Sequence, residues 1–126
     1  KNGELISASD DKTIRVWDII SGKEKRKILG NIGTGLEGMI FAIGLSSDER
    51  YLAVGGFLDK PGHGNSGIIR IYNYQSGKLI KILKSHTNVV LDLSFSKDDR
   101  FLISGSFDKT AKIWDVENNF MLYDTL

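Results

Sequence analysis

Three residues of the types that carry out acyl transfer stand in the last third of this chain: His86, Ser104 and Asp108. In such chemistry a serine hydroxyl attacks a carbonyl, a histidine takes its proton and an aspartate orients the ring. The hydroxyl must be exposed and must face an oxyanion hole. Ser104 does not meet that condition, because it closes the apolar run Phe101-Leu102-Ile103 and belongs inside a strand. Trp114, ten positions further on, offers an indole N–H that would occupy the hydroxyl. The same residues read better as a chain of donors and acceptors, indole to serine to histidine to aspartate, in which every buried polar group is paired.

Other chemistry is weaker still. Gly33-x-Gly35-x-x-Gly38 has the spacing of a dinucleotide-binding turn, but that motif opens a helix, and Met39 to Leu45, MIFAIGL, reads as a buried strand. Asp59 and His63, in the glycine-rich segment Phe57 to Gly67 with Pro61, would supply two metal ligands, too few to define a geometry. No cysteine is present, which excludes disulfides and thiolate metal sites and fits an intracellular, cytoplasmic setting. We therefore expect no catalytic residues, no cofactor and no metal.

The elements that position these residues follow from a repeat. SGSFDKTAKIWD at Ser104–Asp115 has a near copy, SASDDKTIRVWD, at Ser7–Asp18, and a worn third copy spans Val54–Asn73, with Tyr72 in the tryptophan place. The aromatic anchors Trp17 and Tyr72 are 55 positions apart, and Tyr72 and Trp114 are 42 apart. Insertions in Gly30–Gly38 and residues 58–66 absorb the excess, leaving a period of about 42. That is the length of a four-stranded propeller blade and well above the helical repeats of about 33 residues.

On these residues the chain resembles the WD-repeat β-propellers, with Trp17-Asp18 and Trp114-Asp115 as the dipeptide. The resemblance implies an all-β partial propeller of four-stranded antiparallel blades, with about eleven strands. Blade one is expected over residues 1–29 without its first strand, blade two over 30–84 with insertions at 30–38 and 58–66, and blade three over 85–126. Strands are expected at Gly3–Ala8, Thr13–Asp18, Glu24–Leu29, Met39–Leu45, Arg50–Gly55, Ile68–Asn73, Lys78–Leu83, Val89–Phe95, Arg100–Ser104, Thr110–Asp115 and Asn119–Tyr123. The resemblance also makes His86, Ser104, Asp108 and Trp114 the family's structural tetrad. Ser7, Asp11 and Trp17 form its incomplete counterpart in blade one. Blade two has Leu36, Val54 and Tyr72 at the corresponding places, so apolar packing must hold it.

With 40% hydrophobic residues, 26% charged and a formal charge of +1, nothing in the composition calls for nucleic acid or a membrane. The basic cluster Lys23, Lys25, Arg26 and Lys27 falls on an outer strand, where lysines discourage pairing with other chains. Residue 1 is a lysine, and closed propellers need roughly four blades or more, so a piece of a longer protein is expected. Either blades of a parent chain or self-association would complete the ring. The function implied by the resemblance is a rigid protein–protein interaction scaffold without chemistry of its own. Its candidate partner-binding face carries Asp10, Asn88 and Phe107. The alternative is a sensor or regulatory repeat region of a larger signalling protein or enzyme.

Overall fold

The computed structural model describes residues 3–9, 11–29, 39–57 and 67–126. These form eleven strands in three antiparallel sheets, each a meander of consecutive strands. The first sheet holds β1 (Glu4–Ala8), β2 (Thr13–Asp18) and β3 (Glu24–Leu29). The second holds β4 (Met39–Leu45), β5 (Tyr51–Phe57), β6 (Gly67–Asn73) and β7 (Leu79–His86). The third holds β8 (Val90–Phe95), β9 (Phe101–Ser106), β10 (Ala111–Asp115) and β11 (Met121–Thr125). The fold is thus all-β, in blades of three and four strands.

The repeated turns fold alike because their residues are alike. Lys12 and Lys109 take left-handed backbone at φ 73° and 69°, and their N–H groups bond to Ser9 and Ser106 carbonyls at 3.1 and 3.2 Å. In the matching first hairpins of the second and third sheets, Glu49 and Asp99 do the same at φ 59° and 57°. The third turn type varies. Gly22 and Gly77 close it in the first two sheets, at φ 68° and 70°, but the third sheet uses Asn119 and Phe120, both at φ 57°.

That last turn displaces one expected boundary. β11 begins at Met121 rather than Asn119, since consecutive left-handed residues cannot pair in a ladder, and Phe120 instead turns inward, 4% exposed. Its ring meets Tyr51 edge-on at 5.2 Å. Two other boundaries move outward. Phe57 and Gly67 are ladder residues, paired with Met39 and His86, so they belong to β5 and β6 and not to the inserted segment. β7 likewise runs on to His86, placing the histidine at the end of the second sheet's outer strand rather than in a connection before β8.

The core lies between the sheets. Ile14, Val16 and Ile28 of the first sheet pack with Ile40, Leu52, Val54, Ile68, Tyr72 and Tyr74 of the second. On its other face the second sheet offers Ala42, Ala53, Ile69, Ile71 and Leu83 to Val90, Leu93, Leu102, Trp114 and Phe120 of the third. Each fully buried aliphatic side chain in these layers contributes about 1.5–3 kcal/mol. Close approach is demanded at Gly55, where a β-carbon would stand 2.7 Å from Val90 Cγ1, and only glycine admits that contact.

Candidate functional site

His86, at the end of the second sheet, meets Ser104, Asp108 and Trp114 of the third. Ser104 lies on central strand β9, 0% exposed, and the Trp114 indole on β10 donates to its Oγ at 2.9 Å. His86 Nε2 stands 2.8 Å from the same Oγ, and Nδ1 stands 2.7 Å from Asp108 Oδ2. With the ring hydrogen on Nδ1, the imidazole donates to the carboxylate and accepts the serine O–H, so each member is paired. Asp108, in the β9–β10 turn, also accepts from Thr87 N–H at 3.0 Å, and from Thr110 N–H at 2.9 Å and hydroxyl at 2.6 Å.

Burial works against ionisation of Asp108, but the donors from Thr110, His86 and Thr87 outweigh it and hold its carboxyl well below the usual carboxylate range. Connectivity alone matches an acyl-transfer triad. Accessibility does not, because Ser104 has no exposed surface and the indole caps its oxygen. The arrangement ties the end of one sheet to the turn of the next.

In the first sheet the Trp17 indole donates to Ser7 Oγ at 2.8 Å, and Asp11 accepts from Thr13 N–H at 3.0 Å and hydroxyl at 2.6 Å. The Thr13 bonds lower the Asp11 carboxyl too, yet its side chain is 49% exposed and faces Arg15 at 3.5 Å. In the second sheet Val54 and Tyr72 are buried among apolar neighbours. Leu36, Asp59, His63 and the glycines at 33, 35 and 38 lie outside the described residues, although the segment after them is a strand, β4. Among the described residues no group of three or more His, Asp or Glu could hold a metal ion, and no helix is long and apolar enough to cross a membrane.

Of the three residues expected on a partner face, Asp10 lies outside the described residues. Asn88 and Phe107 are brought side by side, because Phe107 N–H bonds to Val89 O at 3.0 Å and Ser106 hydroxyl bonds to Asn88 O at 3.0 Å. Asn88 is exposed and Phe107 is 63% exposed. The basic cluster divides: Lys25 pairs with Glu4 at 2.6 Å and Arg26 lies over the Tyr74 ring at 4.5 Å, while Lys23 and Lys27 are exposed. Sequence reasoning missed the Glu4 bond to the Tyr74 hydroxyl, 2.8 Å, which joins the first sheet to the second.

The profile of the "WD domain, G-beta repeat" family matches residues 1–18 and 77–115. The chain is 36% identical over 124 residues to a ribosome biogenesis protein WDR12 homolog of Trichoplax adhaerens, covering 94% of this chain and 26% of that protein. It is 28% identical over 116 residues to the target of rapamycin complex subunit LST8 of Saccharomyces cerevisiae, covering 90% and 34%. A crystal structure of RRP9 WD40 repeats superposes with a TM-score of 0.81 at 27% identity, over 98% of this chain and 35% of the other. The chain thus spans about a quarter to a third of these three proteins.

Proposed function

This chain belongs to the WD-repeat family, and from that premise we propose that it works as a rigid protein-docking scaffold without chemistry of its own. Residues 1–29, 30–84 and 85–126 are its repeating units. The contact face is the end carrying the β7–β8 connection and the β9–β10 turn, with Asn88 and Phe107 at its centre and Asp10 as a further contributor. The observation that carries this reading is Phe107, a large aromatic side chain left 63% exposed on a turn whose backbone is held by neighbouring carbonyls.

An exposed aromatic on an ordered frame desolvates a large area on contact at little entropic cost, and such residues dominate binding energy at interfaces. The tetrad residues His86, Ser104, Asp108 and Trp114, with Ser7, Asp11 and Trp17, serve this face as structural support. Likeness to a subunit of a target of rapamycin complex supports a setting in multi-subunit assemblies. The names of the relatives do not single out the cytoplasm, so the location proposed is intracellular, resting on the absence of cysteine.

Quantitative mass spectrometry of proteins retained by the wild-type chain and by F107A and D108A variants tests the face. F107A should lose partners while keeping the wild-type melting temperature, and D108A should lose both. Retention of every partner by F107A would place the contact surface elsewhere.

A further inference from the structure

The second and third sheets meet along an apolar layer whose one end is tied by His86. At the opposite end stands the β8–β9 turn, Ser96–Arg100, and its fourth residue is Asp99. The backbone there is left-handed at φ 57°, a region that favours glycine. The side chain offers a reason for aspartate. Asp99 Oδ1 accepts the Ser47 N–H at 2.7 Å, and Oδ2 accepts the Ser47 hydroxyl at 2.6 Å and the Asp48 N–H at 2.9 Å. Both donor residues belong to the β4–β5 turn of the neighbouring sheet, so a single carboxylate joins two equivalent hairpins across the interface.

Two consecutive amides and a hydroxyl converging on one anion make a compact cradle, and hydrogen bonds to an ionised acceptor are the stronger kind. The second sheet keeps an acidic residue at the same place. Glu49 has φ 59°, and its N–H bonds to Ser46 O at 3.0 Å as Asp99 N–H does to Ser96 O at 2.9 Å. We propose that Asp99 is an interblade latch whose carboxylate clasps the Ser47–Asp48 amides and sets the third sheet's register on the second. Between latch and histidine, the close approach of Val90 to Gly55 sets the spacing. A sheet held at both ends and filled between cannot pivot, which keeps the Asn88–Phe107 face in one relation to the second sheet.

The whole chain carrying D99G or D99N tests this. If Asp99 were only a turn residue, D99G would stabilise, since glycine adopts left-handed backbone freely. The latch predicts the reverse sign, an unfolding equilibrium constant in urea raised about tenfold. In D99N, which tolerates the same backbone but presents a neutral amide, the Ser47 and Asp48 amides should exchange with solvent at least about tenfold faster. The Ile71 and Leu102 amides should keep wild-type protection. A D99G chain as stable as wild type, or unchanged Ser47 and Asp48 exchange in D99N, overturns the proposal. Should either variant fail to fold, the wild-type exchange profile decides: protected Ser47 and Asp48 amides support the latch, and free exchange there removes it.

Discussion

The Trp–Ser pair occurs twice in this molecule with different endings. In the third sheet it continues through His86 to Asp108; in the first, Trp17 and Ser7 bond to each other while Asp11 turns to Thr13 and Arg15. Trp114 and Ser104 are 3% and 0% exposed, whereas Trp17 and Ser7 are only half-buried. The histidine that makes the difference comes from β7, the outer strand of the preceding sheet. The network is therefore a joint between blades rather than a feature of one blade.

The sharpest way to break this comparison is to remove both indoles in turn. W114A empties a buried site and leaves Ser104 without its donor, and should cost about 3–5 kcal/mol in urea unfolding. W17A removes a half-buried ring and should cost less than half as much. Equal losses would mean that the two corners are equivalent despite their different wiring.

Next in size is the pair of aspartates. D108N strips an acceptor from a side chain only 7% exposed and should cost about 2–3 kcal/mol, whereas D11N should cost distinctly less. Asp108 carries a pH signature as well. Its carboxyl is lower in the folded chain than in the unfolded one, so its contribution is present above the unfolded value of about 4 and disappears as pH falls towards the folded value. Wild type should lose stability more steeply than D108N when titrated below about pH 4. Parallel acid profiles would detach Asp108 from the joint.

A third test uses the blade with no network. V54S places a hydroxyl at the position equivalent to Ser104, in an apolar cluster that includes Tyr72, and should cost about 1–3 kcal/mol. Adding Y72W should recover part of the loss by supplying the indole donor. A neutral V54S would show that a lone serine is satisfied there and that the other members matter little.

Much of this architecture was legible in the chain because a repeat prints the same local chemistry more than once. The Ser-Asp-Lys-Thr turns and the spacing from Trp17 to Tyr72 to Trp114 located the strands to within a few residues. What escaped were features with no local signature. His86 extends a strand instead of preceding one because Gly67 pairs with it across the sheet. Asp99 and Ser47 are 52 positions apart, and Glu4 and Tyr74 are 70 apart; nothing in either neighbourhood marks them as partners. Phe120 turned inward where the apolar pattern read as a strand start, since its backbone became left-handed.

The smallest expected effect concerns the interface between the first two sheets, joined at one end by Glu4 and Arg26 against Tyr74, with Lys25 paired to Glu4 within the first sheet. Tyr74 is 1% exposed, and its hydroxyl donates to Glu4 at 2.8 Å. Burial, reinforced by the Glu4 carboxylate, raises the Tyr74 phenol above its ordinary value. Glu4 in turn is lowered, first by Lys25 and then by Tyr74. Because Glu4 retains Lys25 when the hydroxyl is removed, Y74F should cost only about 1 kcal/mol at neutral pH. The raised phenol stabilises the fold below the unfolded tyrosine value of about 10, and that increment fades as pH rises towards the folded value. Lys25 is raised by Glu4 as well, but it is present in both chains. The gap between wild type and Y74F in urea melts should therefore narrow as the pH is raised above about 10. A constant gap would mean that the phenol packs without bonding, leaving Arg26 to tie the first sheet to the second.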